Sequence, residues 1–202
     1  MKIFDMKILD AAFAHPQGLL GRLGGTIMAR SSGLRNEWII SLLDVRPDDR
    51  ILEVGFGPGV VIQSLATRAT EGFIAGIDAS PLMVQQASKR NAQAIRDGCV
   101  HLQLGSALAL PCEDASFDTA LSINSVQIWP DSLAGVKEIR RVLKAGGRIA
   151  LALQPVWVRE DGEVRKIGAE LVELLDKAGF QQTRLEFKPM KPMACVCALG
   201  IK

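Results

Sequence analysis

Residues 50–59 read Arg50-Ile51-Leu52-Glu53-Val54-Gly55-Phe56-Gly57-Pro58-Gly59, and three local signals meet there. Arg50–Gly55 carries a short apolar run rich in β-branched residues, which predicts a buried strand. Gly55, Gly57 and Gly59 let the backbone turn sharply and let a ligand lie against main chain without Cβ atoms in the way. Val60–Ala69 then has helical spacing. A strand, a glycine turn and a helix in that order open a βαβ unit.

The same alternation continues downstream. Gly72–Asp78 predicts a second strand. Ser80 and Pro81 then supply an N-cap and a preset first residue for one helix to about Arg96. Val100–Leu104, Phe117–Asn124 and Arg148–Gln154 follow as the third to fifth strands. The helix Ser132–Leu143 is expected to close on Lys144-Ala145-Gly146-Gly147, a cationic last turn with a glycine stop. A helix over Lys166–Ala178 ends at Gly179, and Gln182–Phe187 and Met193–Leu199 read as closing strands. Upstream, Asn36–Leu43 is an amphipathic helix before the turn Arg46-Pro47-Asp48-Asp49. Residues 1–33 place Gly18, Gly21, Gly24, Gly25 and Gly33 among Phe13, Leu19, Leu20, Ile27 and Met28. They read as short helices over the active edge of the sheet, either a lid or a packing extension.

At 202 residues the chain suits one domain, 1–202, with 1–33 as its N-terminal cap. A composition of 48% hydrophobic and 23% charged residues excludes a disordered or collagen-like chain. Lys and Arg number 24 against 22 acids, for a net charge of +2, and duplex binding asks for a strongly basic face. The N-terminus lacks an apolar signal-peptide core, and no run reaches the ~18 apolar residues of a membrane span. Cys99, Cys112, Cys195 and Cys197 form no C-x-x-C pair, and His15 and His101 complete no metal-site spacing, so no metal is expected. Cys195 and Cys197 alternate in an apolar run and are expected on one buried strand face as small hydrophobes. The expected compartment is a reducing cytoplasm; the oligomeric state stays open.

The glycine spacing separates two ligand classes. Dinucleotide folds use G-x-G-x-x-G, with the third glycine five positions after the first, and Val60 stands there in this chain. Glu53 brings a carboxylate toward the loop, where it would repel a pyrophosphate and attract a cation. Asp78, at the end of the second strand and about 20 residues past the loop, suits the ribose hydroxyls of a nucleoside; capping the following helix is its structural alternative. The spacing favours an adenosyl sulfonium over a nicotinamide dinucleotide.

These motifs resemble the class I S-adenosylmethionine-dependent methyltransferases, in the branch similar to ubiquinone/menaquinone-biosynthesis C-methyltransferases. The likeness runs from about Arg50 to Leu153. Ile51–Gly59 is similar to the first family motif and Gly76-Ile77-Asp78 with Ser80 and Met83 to the second. Leu104-Gly105-Ser106-Ala107 through Leu110-Pro111 is similar to the adenine-side loop, and Glu138–Gly147 to the helix-to-fifth-strand signature. The resemblance implies a three-layer α/β fold with seven strands in the order 3-2-1-4-5-7-6, the seventh antiparallel. It implies S-adenosylmethionine as cofactor and S-adenosylhomocysteine as product. Gly55, Gly57 and Gly59 would pass beneath the methionine and ribose, Glu53 would stand near the ammonium, and Asp78 would hold the ribose diol. Ala79 and Met83 would flank the adenine, Ser106 and Ala107 would reach its edge, and Asn124 would approach the methionine end through its backbone. Family members often carry an acid where Ser106 stands, so that contact is neutral here.

Methyl transfer from a sulfonium is an in-line displacement that rests on positioning, and a base helps only when the nucleophile carries a proton. No motif declares a base, so the catalytic residues stay unassigned. His15, in the N-terminal segment, is the candidate, with a surface or capping histidine as its alternative. His101 reads as structural. Gln127 and Trp129 follow the fourth strand where acceptors enter such folds, although Trp129 could equally be loop packing. The exit Ser122-Ile123-Asn124-Ser125-Val126-Gln127 lacks the Asn/Asp-Pro-Pro-aromatic run of nucleic-acid base methyltransferases. The expected acceptor is therefore a small, apolar organic molecule. A catalytically silent cofactor-binding module and a dinucleotide-dependent oxidoreductase are the rival readings.

Overall fold

The computed structural model describes residues 33–202; the expected cap over 1–33 lies outside them except for Gly33, which opens the first of the described helices. The chain runs α1 (Gly33–Leu42), β1 (Arg50–Val54), α2 (Val60–Ala66), β2 (Phe73–Asp78), α3 (Pro81–Arg90), α4 (Ala92–Arg96), β3 (Val100–Leu104) and β4 (Phe117–Ile123). A 3-10 turn over Val126–Ile128 leads to α5 (Ser132–Val142), β5 (Leu143–Leu153), α6 (Asp161–Ala178), β6 (Gln181–Lys188) and β7 (Cys195–Ile201). The seven strands form one sheet in the order β3-β2-β1-β4-β5-β7-β6. The first five are parallel, and β7 runs antiparallel between β5 and β6. This is the architecture that the family resemblance implies.

Ile51–Val54 of β1, Thr119–Ile123 of β4 and Ile149–Leu153 of β5 are buried without a break, as central parallel strands covered on both faces are. On one face Leu52, Val54, Leu151 and Leu153 pack under Val136, Ile139 and Val142 of α5 and Val164, Leu171 and Leu175 of α6. On the other, Ile51, Ile74 and Leu121 pack under Ile39 and Ile40 of α1, Val61, Ile62 and Leu65 of α2, and Met83 and Ala87 of α3. Each fully buried Ile or Leu contributes about 1.5–3 kcal/mol. Cys195 and Cys197 are fully buried on the second face, as the alternation predicts. At the amino-terminal end of the sheet, Asp49 Oδ2 accepts from Arg148 Nη2 at 2.6 Å and from the Thr119 hydroxyl at 3.3 Å, tying the turn before β1 to β4 and β5.

Several boundaries differ from the sequence reading. The helix expected to run unbroken to Arg96 is interrupted at Asn91, whose buried side-chain amide donates to Gly59 O at 3.1 Å and Ala87 O at 2.9 Å. Lys144–Gly147 is not the last turn of a helix. Strand β5 already starts at Leu143, and the register with β4 jumps from Phe117–Leu143 to Thr119–Arg148 around Gly146, which has φ +75°. Lys202 stabilises that bulge: Gly146 N donates to Lys202 O at 3.0 Å, and Lys202 N donates to Gly147 O at 2.9 Å. Helix α6 begins five residues before the expected Lys166, with Asp161 and Glu163 in its positive first turn. Helix α2 ends at Ala66, not Ala69, and β6 and β7 are joined by a loop over 189–194.

Candidate functional site

The carboxyl ends of β1, β2, β4 and β5 form one edge, where parallel α/β sheets bind ligands at the switch between strand orders. The glycine loop after β1 crosses this edge. Gly55 N donates to Ile77 O at 2.7 Å, and Gly55 has φ +79°. A Cβ at Gly55 would lie 2.0 Å from Ser125 Oγ, so the loops after β1 and β4 touch through that missing side chain. A Cβ at Gly59, with φ +76°, would lie 2.6 Å from Ala87 Cβ and 2.9 Å from Ala87 Cα. Gly57 differs: its φ is +54°, and a Cβ there would meet nothing within 4 Å. The protein itself requires the outer two glycines, and the middle one leaves an open face.

Asp78 at the end of β2 secures this loop. Its Oδ2 accepts from Gly57 N at 2.8 Å and its Oδ1 from Ser80 N at 2.9 Å. The helix cap is Ser80, whose hydroxyl accepts from Met83 N at 3.4 Å. A carboxylate oxygen can accept more than one hydrogen bond, which is the chemistry that ribose hydroxyls need. Glu53, only 2% exposed, stands behind the loop, and its Oε2 has no hydrogen-bond partner. Burial first and the neighbouring Asp78 second push its carboxyl well above the usual carboxylate range. An orphaned buried acid beside a second acid is costly in isolation, and a cationic amine is the chemistry that relieves it. An adenosyl sulfonium with an ammonium group fits these residues: Glu53 for the ammonium, Asp78 for the diol, and the open face of Gly57 for close approach.

Beyond β4 the chain turns at Asn124, whose φ of +53° lies where asparagine is among the few tolerated side chains. Asn124 N donates to Ala152 O at 2.8 Å, and its side-chain Oδ1 accepts from Gln154 N at 2.8 Å, joining the ends of β4 and β5. The Gln127 amide donates to Asn124 O at 3.0 Å, and Gln127 Oε1 is buried with no partner. Trp129 is 8% exposed and its indole N–H donates to Ser125 Oγ at 2.9 Å. Its ring lies 2.6 Å from where a Gly135 Cβ would stand, so it is packed beneath α5. Gly105 N donates to Asp78 O at 2.9 Å and so sets Ser106-Ala107 beside the end of β2. Ser106 is exposed, with its hydroxyl accepting from Leu108 N at 3.1 Å; Ala107 is half-buried. Ala79 is exposed before α3, whereas the Met83 side chain is buried in the core. His101 is exposed on the edge strand β3 rather than packed as a structural histidine, and His15 lies outside the described residues.

Glu53, the three glycines, Asp78, Asn124 and Gln127 therefore share one edge. Sequence spacing does not announce the residues that brace them: Ser125 under Gly55, Asn91 under Gly59, Arg90 with its Nε 2.9 Å from Pro58 O, and Gln154 against Asn124. These contacts join segments 30 or more residues apart in chain order, such as Asn124 with Gln154 and Pro58 with Arg90. Among the described residues no group of three His, Cys, Asp or Glu side chains is arranged to hold a metal. No helix there is long and apolar enough to cross a membrane.

Comparison with known proteins finds a match to the methyltransferase domain family over residues 52–151. The chain is 35% identical over 181 residues to an uncharacterised methyltransferase, YdaC, of Bacillus subtilis, covering 89% of this chain and 98% of that protein. It is 31% identical over 125 residues to the ubiquinone/menaquinone biosynthesis C-methyltransferase UbiE of Geotalea daltonii, covering 60% of this chain and 53% of that one. A solved S-adenosylmethionine-dependent methyltransferase from Aquifex aeolicus superposes with a TM-score of 0.70 over 89% of this chain and 97% of its own, and at 18% identity speaks for the fold alone.

Proposed function

From the premise that the chain belongs to the class I S-adenosylmethionine-dependent methyltransferases, we propose that it methylates a small, largely apolar organic acceptor. The observation that carries the donor side is Glu53, a buried carboxyl with an orphaned oxygen behind a glycine loop whose middle residue has an open face. Bound at this edge, the cofactor supplies an electrophilic methyl group on a sulfonium. Glu53 would face the ammonium, a contact that favours its ionised form. Asp78 accepts from the ribose hydroxyls while it holds Gly57, so ligand recognition and loop shape share one carboxylate. Ala79 borders the adenine and Ser106-Ala107 its edge. Asn124 keeps the ends of β4 and β5 together, and Gln127 offers its unpartnered Oε1 beside them.

With the cofactor bound, transfer would be an in-line displacement in which the acceptor atom bonds to the methyl carbon as the carbon–sulfur bond breaks and S-adenosylhomocysteine leaves. The near-neutral chain favours a small molecule over nucleic acid. Positioning within an apolar site is the main lever, worth several orders of magnitude when reacting atoms are held in line. Four unpaired thiols suit a reducing cytoplasm. Calorimetry with S-adenosylmethionine, S-adenosylhomocysteine and NAD tests the donor, and a panel of quinols, phenols, amines and thiols with radiolabelled donor tests transfer. The expected result is binding of both adenosyl ligands, none of NAD, and label in one acceptor class. Binding of NAD instead would overturn the reading.

A further inference from the structure

We propose that Arg35 is the acceptor-recognition residue of this site and that the acceptor carries an anionic group, a carboxylate or a phosphate, on an apolar body. This deepens the methyl-transfer reading and rests on it. The inference starts from a part of the site's edge that carries none of the donor residues, the carboxyl end of β5 next to β7. Gln154 ends β5 there. Its backbone N–H is held by Asn124, and its side-chain amide donates to Lys191 O at 3.2 Å and Met193 O at 2.9 Å. With both hydrogens committed or braced, Gln154 Oε1 faces the guanidinium of Arg35, which donates to it from Nη1 at 3.3 Å. Arg35 Nε donates in turn to Asn36 Oδ1 at 3.2 Å, and Asn36 is buried.

A half-buried arginine normally finds a carboxylate, because burial of an unpaired charge is costly. Among the described residues none pairs with Arg35: both of its partners are neutral amides, and the Nη2 hydrogens have no protein acceptor. The guanidinium is a planar fork matched to two oxygens of one carboxylate or phosphate. Two amide oxygens fix its plane in advance, which is how a binding group rather than a solvated surface charge is built. Burial lowers the affinity of this arginine for its proton, and an anionic partner would restore it. Leu34, next to Arg35 in the chain, and Val156, two residues after Gln154, are exposed large apolar side chains, and Lys188 lies 5.7 Å over the ring of Trp38, one turn along α1 from Arg35. Arg35 connects to Asn124 through Gln154, so an anion held there would lie near the exit of β4, on the side away from β2 and Asp78.

The test is calorimetric titration of the whole protein at constant ionic strength with benzoate, phenyl phosphate, and the neutral isosteres benzamide and benzyl alcohol, with and without S-adenosylhomocysteine. At least one anion should bind tenfold or more tightly than its neutral counterpart, and the benzoate and phenyl phosphate arms tell which anion. Arg35→Met should abolish the preference. Arg35→Lys, which keeps the charge and loses the fork, should reduce it several-fold and serves if the methionine variant does not fold. Equal binding of anion and isostere, or a preference that survives both substitutions, overturns the proposal. Failure of the wild-type protein to bind S-adenosylhomocysteine would strike the methyl-transfer reading instead, and the titrations without that ligand would still decide the role of Arg35.

Discussion

At the residue scale, the three glycines of one loop carry separable duties. Gly57→Ala adds a methyl group that meets no protein atom, so its folding cost is the left-handed backbone alone, about 1 kcal/mol. The same methyl fills the open face proposed for the cofactor. The expected outcome is a small drop in Tm with loss of most S-adenosylhomocysteine affinity by calorimetry; a variant that binds normally would show that no ligand lies against Gly57. Gly55→Ala instead collides with Ser125 Oγ and should cost more than about 2 kcal/mol, part of it recovered by adding Ser125→Gly, which a double-mutant cycle reads directly. Asp78→Ala removes a charged acceptor from the loop and from the proposed diol, and should weaken S-adenosylhomocysteine binding tenfold or more. Glu53 adds a pH signature. Its folded carboxyl titrates above its unfolded value, so the folded ligand-free chain holds a proton that the unfolded chain has released. That contribution to stability is full below the ordinary glutamate range and is lost as pH rises through the raised folded value. Glu53→Gln should therefore gain stability over the wild type as pH rises from about 5 to 8. Wild-type S-adenosylmethionine binding should also release a proton, seen as a dependence of the calorimetric heat on buffer ionisation enthalpy. Heats independent of buffer would mean that no cation reaches Glu53.

At the element scale, the loop is shaped by a helix break. Asn91 stops α3 because its side chain serves the carbonyl of Gly59 across the interface with α2. Gly59 O also accepts from Gln63 N at 3.2 Å, so Asn91→Ala would remove one of its two donors together with the bond to Ala87 O, costing about 0.5–1.5 kcal/mol, and would loosen the glycine loop, so Tm and cofactor affinity should fall together. A fall in Tm with unchanged affinity would show that the break is only structural. The break also marks the limit of what was legible in the chain. Helical spacing persists through Asn91, so periodicity alone sees one helix, and only a contact between residues 59 and 91 ends it. The Lys144–Gly147 segment misleads for the same reason: cations followed by glycines read locally as a helix end, yet pairing with β4 on either side of them and the bonds to Lys202 make them a bulge in β5. Apolar runs, glycine spacing and the acid after β2 are local and were readable, which covers the strand sequence and the donor loop. Arg35, Asn91 and Ser125 matter through partners far along the chain, and no spacing rule reaches them.

At the scale of the whole molecule, the antiparallel insertion of β7 locks the sheet. It is paired on both sides, with β5 over Arg148–Leu153 and with β6 over Gln181–Lys188, so freeing it requires breaking two ladders at once. Cys195 and Cys197 lie in that strand, fully buried, and burial pushes the Cys195 thiol up to about 12 and Cys197 upward as well. Cys99 and Cys112 are half-buried on the periphery, with Cys112 raised mainly by burial. Thiolate is the reactive form, so with iodoacetamide at neutral pH Cys99 should react first, Cys112 more slowly, and the β7 pair only through opening of the whole sheet. Reclosing is expected to outpace alkylation, so the rate at the β7 pair then reports the global stability. A ligand bound only to the folded chain adds RT ln(1 + [L]/Kd), about 2.7 kcal/mol at a hundredfold excess over Kd. S-adenosylhomocysteine at that excess should therefore slow labelling of Cys195 and Cys197 by about 100-fold while leaving Cys99 almost unchanged, as mass spectrometry of the digested protein would show. Equal slowing at all four thiols would mean that the ligand tightens the periphery too. No slowing at the β7 pair would mean that the strand opens without the cofactor edge, and the sheet would then not be the single cooperative unit that its two ladders make it.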